Sequence, residues 1–108
     1  MHRVINLDIE SENQDFVENS KTEFRVKLET YDSIHMSEVN TGMAYGKYTV
    51  TVVADFNDVE DANNFNDYLR GYLQENKTKI VRGRNRNHNC YHSAGFDRPC
   101  PLGDIFEI

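Results

Sequence analysis

Residues 57–75 read NDVEDANNFNDYLRGYLQE, a sequence that predicts an amphipathic helix. Apolar side chains recur there at steps of three and four residues, the spacing that lines one face of an α-helix. They are Val59, Ala62, Phe65, Leu69, Tyr72 and Leu73. Asn57 is a suitable N-cap residue, and Gly71 weakens the helix by roughly 1 kcal/mol relative to Ala. We therefore expect one main helix over about 57–75.

Three segments before this helix alternate between apolar and polar residues. Because successive side chains of a strand point to opposite faces, this alternation predicts strands. The segments are residues 3–10 with Ile5, Leu7 and Ile9 on one face, residues 23–30 with Phe24, Val26 and Leu28, and residues 43–56 with Tyr48, Val50 and Val52. Gly46 predicts a bulge near the start of the third strand.

The segments between these strands are polar and lack a clear period. Residues 11–22 predict a loop with room for one helical turn, and residues 31–42 predict an irregular polar segment. Lys79–Val81 predicts a short fourth strand, the chain after Gly83 predicts an irregular C-terminal segment, and Asp104–Ile108 is a candidate for a final strand. Strands followed by a helix favour an α+β fold, with a small antiparallel sheet of three to five strands and the helix packed on one face.

Composition limits the class of protein. The chain has 108 residues, the size of a single domain, and its net charge is −6. An acidic balance argues against a general nucleic-acid coat protein. No apolar run approaches the ~20 residues of a membrane helix, and no apolar stretch of a secretory signal is found near Met1. Two cysteines exclude a disulfide-dense scaffold. We expect a cytoplasmic protein with no membrane association.

The charge is unevenly distributed along the chain. Residues 1–76 form an acidic body with six basic and fifteen acidic residues, whereas residues 77–108 form a basic C-terminal segment with six basic and three acidic residues. Arg82, Arg84 and Arg86 alternate in this segment, and Tyr91 offers a stacking surface, a combination that suits single-stranded nucleic acid. The alternatives are a solvated edge strand, or a segment that docks on the acidic body of its own domain.

Four carboxylates around the predicted helix are candidates for contact with a protein partner. They are Asp58, Glu60, Asp61 and Asp67. Carboxylates on a rigid surface can imitate phosphates, occupy a basic groove on a nucleic-acid-binding protein and accelerate association with it. The structural alternative is local, because acidic residues in the first turn also stabilise a helix.

The C-terminal segment contains a candidate metal site. His88, Cys90, His92 and Cys100 carry the nitrogen and sulfur ligands that zinc prefers. In an extended segment His88 and His92 are about 13 Å apart, at ~3.3 Å per residue, so the segment would have to bend for both to bind. The spacing matches no standard zinc-finger pattern. Two packed thiols, or a Cys90–Cys100 disulfide, are the alternatives to zinc.

Catalytic motifs are absent from the sequence. It contains no phosphate-binding loop, no dinucleotide fingerprint, no HExxH and no GxSxG. A small hydrolase or nuclease would have to use His88 or His92, with Arg84 or Arg86 assisting. The interpretation that the residues favour is therefore a binding protein rather than an enzyme.

The short, acidic chain is rich in Asn and poor in Ala, and in this general character it is similar to small phage-encoded accessory proteins. This similarity implies a non-enzymatic binding protein, either a binding module or an inhibitor that occupies the surface of a host protein in the host cytoplasm. The alternatives are a small nucleic-acid-binding protein that uses residues 77–92, with or without zinc, and a small enzyme. The oligomeric state does not follow from the sequence.

Overall fold

A computed structural model describes residues 3–85 of the chain. Within this range the chain forms four strands, two α-helices and one short 3₁₀ helix. In chain order they are β1 (Arg3–Ser11), α1 (Gln14–Leu28), β2 (Ile34–Ala44), β3 (Lys47–Phe56), α2 (Val59–Glu75), the 3₁₀ helix (Lys77–Lys79) and β4 (Arg82–Asn85).

The four strands form one antiparallel sheet with the order β2-β3-β1-β4. Each helix connects two strands that are not neighbours, so the chain has the βαββαβ order of the split βαβ arrangement. Both helices pack on the same face of the sheet, where Phe24 of α1 contacts Tyr72 of α2. The predicted α+β fold with an antiparallel sheet is confirmed.

Two of the predicted strands lie where their alternation indicates. In β1, Ile5, Leu7 and Ile9 are fully buried against the helices. In β3, Val50 and Val52 occupy the same buried face. These two strands pair directly and form the centre of the sheet, so burial of one face is the reason that their sequences alternate.

The predicted third strand over residues 43–56 contains β3, but its first residues belong to the end of β2 and to the turn that joins the two strands in a hairpin. β2 ends at Ala44, and β3 begins at Lys47. Tyr45 and Gly46 form the connecting turn with φ values of 52° and 78°, the pair of positive angles that a two-residue hairpin turn of the I′ type requires. The predicted bulge at Gly46 is therefore wrong, because this glycine closes a turn.

The loop predicted over residues 11–22 and the strand predicted over residues 23–30 are both wrong, because α1 spans most of the two. Asn13 caps α1, and its side-chain oxygen accepts a hydrogen bond from the Phe16 amide at 3.0 Å. The buried side chains recur at helical spacing: Phe16, Val17, Ser20, Phe24 and Leu28. Val26 is 59% exposed, so its place in the apparent alternation was a coincidence of sequence.

The irregular segment predicted over residues 31–42 is also wrong, because β2 occupies most of it. This strand lies at the edge of the sheet, and Val39 is its only buried residue. An edge strand with exposed residues on both faces has no reason to alternate between apolar and polar residues.

The short strand predicted over Lys79–Val81 is displaced along the chain. Lys77–Lys79 forms the 3₁₀ helix, and β4 begins only at Arg82. Ile80, between the two elements, is 8% exposed and belongs to the core. β4 pairs with β1 at the edge of the sheet opposite β2.

The main helix forms close to its predicted position as α2. Asp58 is its N-cap in place of the predicted Asn57, and the Asp58 side chain accepts a hydrogen bond from the Glu60 amide at 3.0 Å. The predicted apolar face packs on the sheet and on α1. Aromatic rings dominate this contact, and the ring centroids of Phe24 and Tyr72 lie 5.0 Å apart.

Candidate binding surface

Charge divides residues 3–85 into two unlike parts. We define the helical layer as α1 with its C-cap Glu29 and α2 with its N-cap Asp58. It carries nine acidic and four basic side chains, whereas the other described residues, which we call the sheet layer, carry six of each. The excess negative charge of the described residues therefore lies on the helical layer.

Part of this negative charge surrounds a groove between the two helices. The inter-helix groove has a volume of about 480 Å³ and contains three carboxylates but no basic side chain among the residues that line it. The lining residues are Glu23, Asp67, Tyr68, Gly71, Tyr72, Glu75 and Asn76. Such a groove can accept the ammonium or guanidinium group of a partner's side chain.

Gly71 leaves open space in this groove. A Cβ atom built at Gly71 meets nothing within 4 Å, although the residue lies in the interior of α2. Glycine in a helix interior costs about 1 kcal/mol relative to alanine. The open space allows a partner to approach the backbone of α2 between the carboxylates.

Tyrosines form the walls of the groove. The hydroxyl groups of Tyr72 and of Ser20 in α1 form a buried hydrogen bond, with 2.6 Å between the two oxygens. Burial raises the pKa of Tyr68 to about 12, and the nearby Glu23 carboxylate contributes to this rise. Tyr68 therefore stays neutral at physiological pH, where its hydroxyl can donate or accept a hydrogen bond.

The rings beside the groove already hold a cation. The Lys27 ammonium lies 5.2 Å from the centroid of the Tyr68 ring and 5.5 Å from that of Tyr31. Both distances are within the range of a cation–π contact. Because Lys27 and Phe65 already contact the Tyr68 ring, an incoming lysine or arginine would meet the Tyr68 hydroxyl and the carboxylates rather than the ring.

The four carboxylates predicted from the sequence have different environments. Asp58 caps α2, and Asp61 accepts a hydrogen bond from the Ser33 hydroxyl at 2.7 Å. Glu60 and Asp67 are exposed. Of the four, only Asp67 lines the inter-helix groove, so the structure does not bring them together at one site.

Asp67 instead lies with Glu23 and Glu75, which the sequence analysis did not select. The alternation of residues 23–30 predicts a strand, and a strand there would separate Glu23 from α2. The spacing of Phe16, Ser20 and Phe24 after the capping residue Asn13 is the signal that could have found α1 and placed Glu23 beside α2.

The basic residues predicted to bind nucleic acid lie at the edge strand β4. Arg82 donates a hydrogen bond to Glu10 of β1 at 2.8 Å, and Arg84 lies opposite Asp8 in the register of the same two strands. Within the described range the charge of Arg82 is therefore compensated by the sheet itself. Arg86 and Tyr91 lie outside the described residues.

The candidate zinc ligands His88, Cys90, His92 and Cys100 lie outside the described residues. The strand predicted over Asp104–Ile108 and the catalytic role predicted for His88 or His92 fall outside the same range. Within residues 3–85, no three His, Cys, Asp or Glu side chains are grouped so that they could hold a metal ion. In the same range no helix has the length and apolar character needed to cross a membrane.

No family model matches this chain, and no curated protein or solved structure is significantly similar to it. The βαββαβ arrangement does not supply a function either, because one fold supports many unrelated activities. The charge, shape and chemistry of the described surface are therefore the basis on which a function can be inferred.

Proposed function

We propose that this protein is a non-enzymatic binding protein whose helical layer docks on a basic surface of another protein. The observation that carries the proposal is the accumulation of negative charge on this layer, with Glu23, Asp67 and Glu75 meeting around one groove. A phage-type inhibitor that covers a nucleic-acid-binding groove of a host protein in the cytoplasm would work in this way.

Electrostatics would govern the encounter. Opposite potentials on two surfaces steer association and increase its rate, and salt screens this effect over a Debye length of ~10 Å at 0.1 M. Once docked, a lysine or arginine of the partner would pair with the carboxylates of the inter-helix groove. The Tyr68 hydroxyl would add a hydrogen bond, and the open space at Gly71 would allow close approach.

The nucleic-acid-binding alternative receives less support from the described residues. Phosphates would be repelled by the helical layer, and Arg82 already has Glu10 as its partner. That alternative would rely on Arg82, Arg84, Arg86 and Tyr91, with zinc at Cys90, His92 and Cys100 as an organising element. A single-stranded oligonucleotide that bound tightly would favour this nucleic-acid alternative over the proposed function.

Two fluorescent probes test the proposal, an arginine-rich peptide and a single-stranded oligonucleotide. We expect the peptide to bind, with an affinity that falls as salt increases, and the oligonucleotide to bind far more weakly. The double variant Glu23→Lys/Asp67→Lys should weaken peptide binding by at least about tenfold, which corresponds to 1.4 kcal/mol.

A matched control separates a local site from net charge. The double variant Glu12→Lys/Asp32→Lys makes the same change in net charge at two exposed positions outside the helical layer. It should leave most of the peptide affinity intact. Equal losses in the two double variants would contradict the proposal. Tight oligonucleotide binding that Arg82→Ala/Arg84→Ala abolishes would favour the nucleic-acid alternative instead.

A further inference from the structure

The outer side of β2 is an exposed edge of the sheet. β2 contains eleven residues and pairs with β3 on one side, and no described strand pairs with the other. Natural edge strands are commonly protected by charged residues, proline, a β-bulge or a short length. β2 contains neither lysine, arginine nor proline, Glu38 is its only carboxylate, and its irregularity against β3 lies at its beginning, between Ile34 and Met36.

One contact identifies the backbone groups that point outward. The Arg25 guanidinium of α1 donates to the Val39 carbonyl at 3.2 Å, so this carbonyl faces away from β3. Backbone groups of an antiparallel strand point alternately to its two sides, and hence Ser37 and Thr41 also present theirs outward. A carbonyl oxygen has two lone pairs, so Val39 can accept a second hydrogen bond without losing Arg25.

We propose that two copies of this chain associate by antiparallel pairing of β2 with β2, about a two-fold axis at Val39. In this register residues 36–42 of one copy pair with the same residues of the other, and this range lies within the regular part of β2 that follows the irregularity between Ile34 and Met36. The result would be a closed dimer with one continuous eight-stranded sheet.

The side chains of β2 suit this register. Glu38 of one copy lies opposite Asn40 of the other, and the two residues are compatible because Asn40 already donates to Glu38 at 2.7 Å within the strand. Met36, which is 47% exposed, lies opposite Gly42 of the second copy and meets no bulky neighbour across the pair. No two like charges of β2 itself face each other.

The surface of α1 beside β2 carries charges of both signs. A groove of about 450 Å³ between α1 and β2 is lined by Arg25 and Glu29, together with Leu28, Ile34 and Val39. The same two-fold axis runs α1 antiparallel to its copy. Each Arg25 guanidinium is held at its own Val39 carbonyl, so the axis would bring the two guanidinium groups near each other, and the Glu29 carboxylates of the same grooves would offset their repulsion.

This dimer does not depend on the proposed binding function. Glu23 of the inter-helix groove faces α2, whereas Arg25 and Glu29 line the groove on the β2 side of α1. Pairing through β2 therefore leaves both inter-helix grooves accessible.

Sedimentation and light scattering of the full chain test the proposal over a range of concentrations up to the sub-millimolar. The monomer has a mass of 12.6 kDa, and we expect the mass to approach about twice this value as concentration increases. A mass that stays at that of the monomer throughout would overturn the proposal.

Two substitutions at Asn40, an exposed position, test the register. Asn40→Glu places a carboxylate opposite Glu38 of the other copy, and the two-fold axis repeats this like-charge pair. The dimer dissociation constant should therefore rise by about tenfold. Asn40→Lys, changed at the same position, places an opposite charge there and should leave the dissociation constant unchanged or lower it. The proposal is wrong if both variants behave like the unmodified chain or if both weaken the dimer.

Ser37→Pro supplies a separate test of backbone pairing. The Ser37 amide points outward, so its loss spares the hydrogen bonds with β3 but removes one from each half of the dimer. A circular dichroism spectrum like that of the unmodified chain would show that the fold is retained. We then expect a monomer, and an undiminished dimer would contradict pairing through this edge.

Discussion

The helical layer and the sheet layer carry comparable numbers of charged side chains, but the two signs balance only in the sheet layer. In the sheet layer Glu10 pairs with Arg82, and Asp8 accepts a hydrogen bond from Thr51 at 2.9 Å. In the helical layer acidic side chains outnumber basic ones by more than two to one, and three of them surround an open groove. Charge is thus balanced locally in the sheet layer and in excess in the helical layer, and under the proposed function this excess is what meets a partner.

The largest expected effect tests whether residues 23–28 belong to the helix α1 rather than to the strand that their alternation predicts. Phe24 is fully buried and contacts Tyr72, so Phe24→Ala should lower the free energy of unfolding by about 3–5 kcal/mol. Val26, two residues away, is 59% exposed, and Val26→Ala should change the same quantity by less than about 0.5 kcal/mol. Urea denaturation measures both.

The two substitutions form a matched pair because a strand over residues 23–30 would place Phe24 and Val26 on the same face. A helix places the two side chains on different faces. If Val26→Ala destabilised the protein as strongly as Phe24→Ala, α1 and the helical layer defined by it would be wrong.

A smaller effect tests the polar link between the two helices. The Ser20 hydroxyl bonds both Tyr72 and the Phe16 carbonyl, and all three groups are buried. Ser20→Ala leaves the Tyr72 hydroxyl without this partner and should cost about 1–3 kcal/mol of unfolding free energy. Ser20→Ala/Tyr72→Phe removes both hydroxyls, so its cost should be less than the sum of the two single costs. Strict additivity would contradict a direct link.

Tyr68 of the helical layer and Tyr31, which follows α1 in the chain, predict a loss of stability at alkaline pH. Burial raises the pKa of Tyr31 and of Tyr68 to about 12, compared with about 10 in an unfolded chain. The stabilisation that results is fully present below about pH 10 and is lost as pH rises from 10 to 12. Solvent screening of these partly exposed groups should keep the loss modest.

Denaturation at several pH values, together with tyrosinate absorbance, measures this loss. Tyr68→Phe removes one of the raised groups, so its unfolding free energy should fall less steeply over the same interval than that of the unmodified chain. An identical slope would show that Tyr68 does not contribute.

The smallest effect concerns the open space in the inter-helix groove. Gly71→Ala should raise the unfolding free energy by about 0.5–1 kcal/mol, because a methyl group finds room there and alanine favours a helix. The same change narrows the groove and should weaken binding of the arginine-rich peptide slightly. A loss of stability would mean that the space at Gly71 is not open.

The central elements of the fold were predictable from the sequence. β1 and β3 lie in the middle of the sheet with one face buried, and this forces Ile5, Leu7 and Ile9 to alternate with polar residues. α2 is amphipathic over its whole length and begins at a strong cap. In both cases burial of one face imposes the period that sequence analysis detects.

The remaining elements were not predictable for physical reasons. β2 is an edge strand, so nothing imposes an alternating pattern on it. In α1 a buried serine stands on the apolar face and an exposed valine on the polar face, so Ser20 and Val26 together hide the helical period. Since Glu23 depends on α1 for its position, the inter-helix groove was hidden with it.

Amide NMR spectra recorded while the arginine-rich peptide is added test most directly whether the helical layer is the binding surface. We predict that the shifts concentrate at Glu23, Asp67, Gly71 and Glu75, and that they vanish in Glu23→Lys/Asp67→Lys. The amides of β1 and β3 should move little. Shifts centred on Arg82 and Arg84, or spread evenly over both layers, would contradict the account.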